Sequence, residues 1–84
     1  MFIKKDVTMY KIAIVIPTLN EEKFIAQCLD CVIRQTFPFT AIDLMVVDGG
    51  SNDRTKSIVE KYQKRYSNIR LFIIQDVFSL LHLI

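Results

Sequence analysis

Both glycines of this 84-residue chain stand side by side, as Gly49 and Gly50 in MVVDGGSNDRT, directly after Asp48 at the end of an apolar run. A carboxylate followed by two residues without side chains marks a place where backbone turns sharply or approaches something closely. Asp48 has two readings there. It can accept hydrogen bonds from a ribose hydroxyl or a base N–H, or it can cap the following turn through the loop's own amides. A second polar stretch, PTLNEE at residues 17–22, follows another apolar run. Within it Glu21 is either a partner for a helix dipole or a ligand contact. Asp53 or Asn52 reads as the cap of the helix that follows, and for Asp53 the cap reading is favoured over a ligand contact. Cys28 and Cys31, in CLDC, have the spacing of a redox or zinc pair. A redox pair sits at a helix N-terminus, where the dipole lowers the thiol pKa, whereas this pair falls mid-helix. Zinc needs two further ligands, and the remaining soft donor is His82, close to the C-terminus. Cys28 therefore reads as a small core residue, and His82 has no partner in view.

The elements that must hold these loops follow from periodicity. Tyr10 to Ile16 (YKIAIVI) is a β-branched, nearly continuous apolar run, the pattern of a strand covered on both faces in a parallel sheet, and Pro17 is expected to end it. Asn20 is a good N-cap for a helix with Glu21 and Glu22 in its first turn. Phe24, Ile25, Cys28, Leu29, Val32 and Ile33 recur at helical spacing, and Phe37-Pro38 closes that helix. A second buried strand covers Ile42 to Val47. A second helix runs from about Thr55 to Tyr66, with Ile58, Val59, Tyr62 and Tyr66 inward, and a third strand covers Ile69 to Ile74. The fold class is thus α/β, a βαβαβ half of a doubly wound parallel sheet with three parallel strands and two crossover helices. In such sheets ligands sit beyond the carboxyl ends of the strands, where PTLNEE and DGGSNDRT lie.

Composition narrows the function classes. The chain is 51% hydrophobic and 24% charged, a globular balance, and its length allows one domain. The formal charge of +2, with bases and acids interleaved in KSIVEKYQKR, reads as a solvated helix face and gives no reason to expect nucleic acid. No run is long enough for a transmembrane helix. The opening MFIKKDVTMYK has a basic pair but no apolar region after it, so the expected location is the cytoplasm, or the inner face of the membrane as a peripheral protein.

The first loop has no glycine, so it is not the G-x-G-x-x-G cradle of dinucleotide folds, and its two glutamates would repel a phosphate placed on that helix. No glycine-lysine pair exists for a P-loop. A nucleotide here must be held by base and ribose, with its phosphates handled elsewhere. A receiver-type signalling domain shares the βαβαβ order but needs an acidic cluster after the first strand, where this chain reads IVIPT.

Three stretches in order, IVIPTLNEE, CLDCVIRQTFP and DLMVVDGGSNDRTKSIVEKY, resemble the start of the inverting family-2 glycosyltransferases over residues 10–74. The resemblance implies a GT-A-type nucleotide-diphospho-sugar-binding fold and transfer of a sugar from a nucleotide diphosphate donor, UDP- or GDP-linked, to an acceptor. By motif, Pro17, Thr18, Leu19 and Glu21 would line base and ribose, and Asp48 and Gly49 would stand against the nucleoside. Leu19 replaces the tyrosine of many members and Gly49 a second aspartate, departures that bear on donor preference.

In the family, a later D-x-D holds Mg²⁺ or Mn²⁺ on the diphosphate and a further carboxylate acts as general base. This sequence has no D-x-D, and continues instead into QDVFSLLHLI. The expected organisation is an N-terminal extension at residues 1–9, a partial family-2 nucleotide-binding domain at 10–75, and an apolar tail at 76–84 outside the family register. On this reading the chain is a truncated N-terminal part of a hexosyltransferase-type enzyme that carries a nucleoside subsite but no catalytic residue and no metal ligand. The alternative is an inactive fragment acting as a nucleotide-binding or self-associating module. Because the family places another strand beside the first, YKIAIVI is expected to be an exposed apolar edge open to self-association.

Overall fold

The computed structural model describes residues 2–6, 11–35 and 38–74. Along the chain it has β1 (Phe2–Asp6), β2 (Lys11–Thr18), α1 (Ile25–Gln35), a 3₁₀ turn at Phe39–Ala41, β3 (Ile42–Asp48), α2 (Thr55–Arg65) and β4 (Ile69–Ile73). The sheet order is β1-β2-β3-β4. β2, β3 and β4 are parallel, with Ile14 opposite Leu44 and Leu44 opposite Ile69. This is the expected βαβαβ unit. His82, Phe37 and the tail at 76–84 lie outside the described residues.

The parallel strands advance across the sheet in one direction, so right-handed crossovers put both helices on the same face. Between them lies the core: Ile14 and Ile16 from β2, Ile42, Leu44 and Val46 from β3, Ile69 from β4, Ile25, Leu29 and Val32 from α1, and Val59 from α2. Ile58, Tyr62 and Tyr66 pack at its margin, as does Cys28. The expectation of strands covered on both faces is corrected. β3 alternates between buried and half-buried residues. The face away from the helices carries half-buried Ala13, Val15, Met45 and Val47, together with an Arg70–Asp43 ion pair of 2.7 Å and the Arg70 guanidinium over the Phe72 ring. Nearly continuous apolar strands here serve one helical layer on one side and a partly open sheet face on the other.

Three local expectations are also corrected. The first strand passes through Pro17 to Thr18. The Thr18 carbonyl accepts from Gly49 N–H on the β3 side (2.9 Å), so by alternation the position lacking a donor at Pro17 faces the other side. There, among the described residues, β1 pairs as far as Val15, and a strand edge without a ladder partner tolerates proline. Second, α1 begins at Ile25 rather than at Asn20, with no acidic residue in its first turn. Phe24, placed by periodicity on the inner stripe, is 63% exposed. Third, the edge of YKIAIVI is not open, because β1 pairs antiparallel along Lys11–Val15. The first residues, read as an extension without an element, extend the sheet by one strand.

Candidate functional site

The carboxyl ends of β2 and β3 finish level, with Thr18 opposite Asp48. Asp48 is completely buried and accepts four hydrogen bonds. Thr18 Oγ1 (2.8 Å) and Ser51 Oγ (2.6 Å) donate to one carboxylate oxygen, and the N–H groups of Gly50 (3.0 Å) and Ser51 (2.7 Å) donate to the other. Burial pushes this carboxyl group's pKa up, but the hydrogen bonds from Ser51, Thr18 and Gly50 outweigh burial and hold it below the ordinary carboxylate value. Of the two readings of Asp48, the cap on its own loop is present in full. Gly50 has φ 100°, a region that only glycine enters easily. Gly49 has no such torsion, and its N–H continues the ladder to Thr18. The pair of glycines thus splits: Gly50 makes the turn, and Gly49 leaves the strand end without a side chain.

A second carboxylate repeats the arrangement. Asp53 accepts from the N–H of Thr55 (2.9 Å) and from its hydroxyl, and through its other oxygen from the N–H of Glu22 (3.2 Å). It therefore serves the first amide of α2 from the residue before the N-cap position, which Arg54 holds, and also satisfies an amide at the approach to α1. The two positive helix ends favour the charged carboxylate. Burial raises its pKa, and the bonds from Thr55 and Glu22, and from its own amide, bring it below the ordinary value.

Each aspartate grips a hydroxyl that in turn accepts an amide from the first loop. Ser51 Oγ accepts from Asn20 N–H, and Thr55 Oγ1 from Glu21 N–H, both at 2.8 Å. Asn20 is no helix cap. It sits in the left-handed region (φ 53°), and its side-chain oxygen accepts from Asn52 N–H at 2.8 Å. A Glu22–Arg54 ion pair of 3.0 Å closes the outer side. The two loops are thus tied to one another before any ligand arrives. Ser51 and Thr55 were missed in the sequence. Their signal is a hydroxyl two or three residues after an aspartate, the pattern of local side-chain-to-backbone turns.

The six residues singled out from sequence come together at this edge with unequal access. Thr18 and Asp48 are buried, Gly49 is half-buried, and Pro17, Leu19 and Glu21 are exposed. A cleft of about 170 Å³ beside them is lined by Ile16, Pro17, Thr18, Glu21, Phe24, Ile25 and Cys28. That is below the ~300–1,000 Å³ of a complete ligand pocket, and admits a ring rather than a nucleotide sugar. The Cys28 thiol is pushed up by burial and by Cys31, which keeps it protonated and a poor nucleophile at neutral pH. Among the described residues no group of three or more His, Cys, Asp or Glu side chains is placed to hold a metal ion. No helix among them is long and apolar enough to cross a membrane. The described residues offer no donor set that fits a divalent cation.

Residues 13–75 match the glycosyl transferase family 2 domain. The chain belongs to that family. It is 36% identical over 66 residues to the glycosyltransferase AglE of Haloferax volcanii, covering 79% of this chain and 22% of that protein. It is 42% identical over 57 residues to the poly(ribitol-phosphate) beta-N-acetylglucosaminyltransferase TarS of Staphylococcus aureus, covering 68% and 10%. The crystal structure of S. aureus TarS 1-349 superposes with a TM-score of 0.67 at 37% identity, over 74% of this chain and 18% of that one. The mannosyltransferase PcManGT of Pyrobaculum calidifontis, solved with GDP-Man and Mn²⁺, gives 0.62 at 28% identity, over 75% and 18%. The family-2 chain thus has the GT-A-type fold of these enzymes, and spans about a fifth or less of each of these relatives.

Proposed function

We propose that this chain forms the nucleoside-binding part of a glycosyltransferase that moves a sugar from a nucleotide diphosphate, and that it binds the donor's nucleoside without transferring the sugar. The observation that carries this reading is the pair of loops at the carboxyl ends of β2 and β3, cross-tied through Ser51 and Thr55 with Leu19, Glu21 and Gly49 left accessible. On this reading Pro17 and Leu19 give the base an apolar surface, Glu21 accepts from ribose or base, and the bare backbone at Gly49 lets the ligand come close. Thr18 and Asp48 hold the frame. Their polar atoms already bond each other and Ser51, so they act on the ligand through the loop. In a complete family domain Mg²⁺ or Mn²⁺ would neutralise the diphosphate leaving group. Its ligands would come from outside the residues described here.

Titration of the labelled chain with UDP and then GDP, followed by amide NMR, tests the proposal. Shifts confined to residues 18–21 and 48–51 support it. A well-dispersed spectrum that does not respond to either nucleotide at millimolar concentration overturns it. Incubation with nucleotide sugars and Mn²⁺ is expected to give no transfer. Phe72, Ile73 and Ile74, exposed at the β4 edge, favour a second property, self-association along that edge.

A further inference from the structure

The charged residues of α2, which look in the sequence like an ordinary solvated face, line a trough. A cavity of about 370 Å³ between the approach to α1 and the start of α2 is bounded by Glu22, Lys23, Arg54, Ser57, Ile58 and Lys61. A second, of about 180 Å³, is bounded by Lys61, Tyr62 and Arg65. The two share Lys61, so the depression runs along the helix.

Its cations are spaced by the helix. Arg54, Lys61 and Arg65 are separated by seven and four residues, which puts them on one face about 10 Å and 6 Å apart at ~1.5 Å rise per residue. Lys23 faces them from the α1 side of the same cavity. Four cations thus meet one lining carboxylate, Glu22, on a chain whose formal net charge is only +2. Glu22 is paired with Arg54, and nearby Asp30 accepts from Tyr62 Oη at 2.7 Å. Lys23 and Lys61 have no hydrogen-bond or ion-pair partner among the described residues. The Ser57 hydroxyl, already donating to the Arg54 carbonyl, keeps acceptor capacity only.

We propose that this trough binds a linear polyanion, a chain of phosphate groups laid along α2 with Lys23, Lys61 and Arg65 as its counter-charges. A depression with cations on both sides at its wider end, Lys23 opposite Arg54 and Lys61, and continuing past Lys61 to Arg65 on α2, suits an extended chain. A membrane surface would instead need those cations on a convex face. Arg54, itself exposed, joins by exchanging its half-buried partner Glu22 for a phosphate. The proposal stands independently of the nucleoside reading, since none of these side chains is among the six at the strand ends.

The test uses the purified chain with long-chain linear polyphosphate, inorganic phosphate, and vesicles of phosphatidylglycerol. Polyphosphate is expected to bind, with amide shifts at residues 23, 54, 57, 61 and 65, and to weaken steeply as salt rises. The double variant Lys23→Glu with Lys61→Glu should lose affinity about tenfold or more, whereas the double variant Lys56→Glu with Lys64→Glu, the same change in net charge on two cations of α2 that do not line the trough, should change it by less than about threefold. An equal loss in both variants would mean unspecific attraction to net charge, and the proposal fails. It fails also if polyphosphate does not bind at low salt, or if vesicles bind and polyphosphate does not. Circular dichroism of each variant establishes that the fold is kept, and a variant that unfolds is replaced by Lys61→Gln with the same criteria.

Discussion

Replacing Asp48 tests whether its carboxylate holds the loop as the geometry says. Asp48→Ala strands four donors at once: the hydroxyls of Thr18 and Ser51 and the amides of Gly50 and Ser51. Hydrogen bonds to a charged group are each worth ~1.5–3 kcal/mol, but hydroxyls rotate to new partners and loop amides can reach water, so we expect a loss of about 3–5 kcal/mol rather than the full sum. A chain of this size has a total stability of roughly 4–12 kcal/mol, so the alanine variant should lose about a quarter of it at the high end of that range and unfold at the low end. Asp48→Asn is gentler. Its oxygen can face the two amides while its NH₂ group donates to the hydroxyls, which have lone pairs to accept, and about 1–2 kcal/mol should be lost.

The same site sets an acid limit. The folded-state pKa of Asp48 lies below the ordinary value of 3.8, so its contribution is fully present above that value and disappears as pH falls through the folded pKa. Urea unfolding followed by circular dichroism between pH 7 and pH 2.5 should show stability falling below about pH 4, with a shallower fall in Asp48→Asn. An alanine variant within 1 kcal/mol of the parent at pH 7, or an asparagine variant with an unchanged acid limb, would refute the reasoning.

Tyr62 donates to Asp30 at 2.7 Å and, through burial first and then that bond and charge, is pushed up to about 12. Spectrophotometric titration should show the Tyr62 phenol titrating late, and Asp30→Asn should bring it back toward 10. The neutral phenol's contribution is present below about pH 10 and is lost as pH rises through the folded value, so the parent should lose its stability advantage over Asp30→Asn across pH 10–12. Gly50→Ala forces a Cβ into φ 100° and should lower stability by about 1–3 kcal/mol in urea unfolding. The double variant Phe72→Lys with Ile73→Lys should shift any self-association seen by sedimentation toward monomer while leaving nucleotide response intact.

The backbone plan was legible in the sequence because its signals are strong and local. β-branched runs spaced by helical periods leave little choice but β-α-β-α-β, and two polar stretches after the strands point to the ligand edge. What was not legible depends on partners distant in sequence. Asn20 has the composition of a helix cap, yet its oxygen goes to Asn52 and its amide to Ser51, across the ligand edge. The amides of Glu21 and Glu22, which a local cap would serve, are satisfied by Thr55 and Asp53 instead, so α1 can begin later. Pro17 looked like a strand end because proline lacks a donor, but whether that matters depends on which side of the strand has a neighbour. Phe2–Asp6 carries no strong pattern of its own. Its pairing is specified by the β2 edge it covers.

The site and the core of this chain are one mechanical unit. Asp48 ends the strand that carries Leu44 and Val46, the centre of the apolar cluster, and its backbone C=O accepts from Ile74 N–H (2.8 Å) at the end of β4. Through Ser51 the same carboxylate fixes Asn20, and through Asp53 and Thr55 the second loop fixes Glu21, directly ahead of the helix that buries Ile25 and Leu29. A ligand at Leu19, Glu21 and Gly49 therefore meets loops already ordered by folding, and little conformational entropy remains to be lost on binding. It follows that damage to the ties should show first as stability. Ser51→Ala releases Asn20 and one donor to Asp48, so it should lower the unfolding midpoint before nucleotide affinity at temperatures where the chain stays folded. If affinity fell while the midpoint stayed put, the hydroxyl would have to touch the ligand itself, and the frame assigned to Asp48 and Ser51 would be wrong.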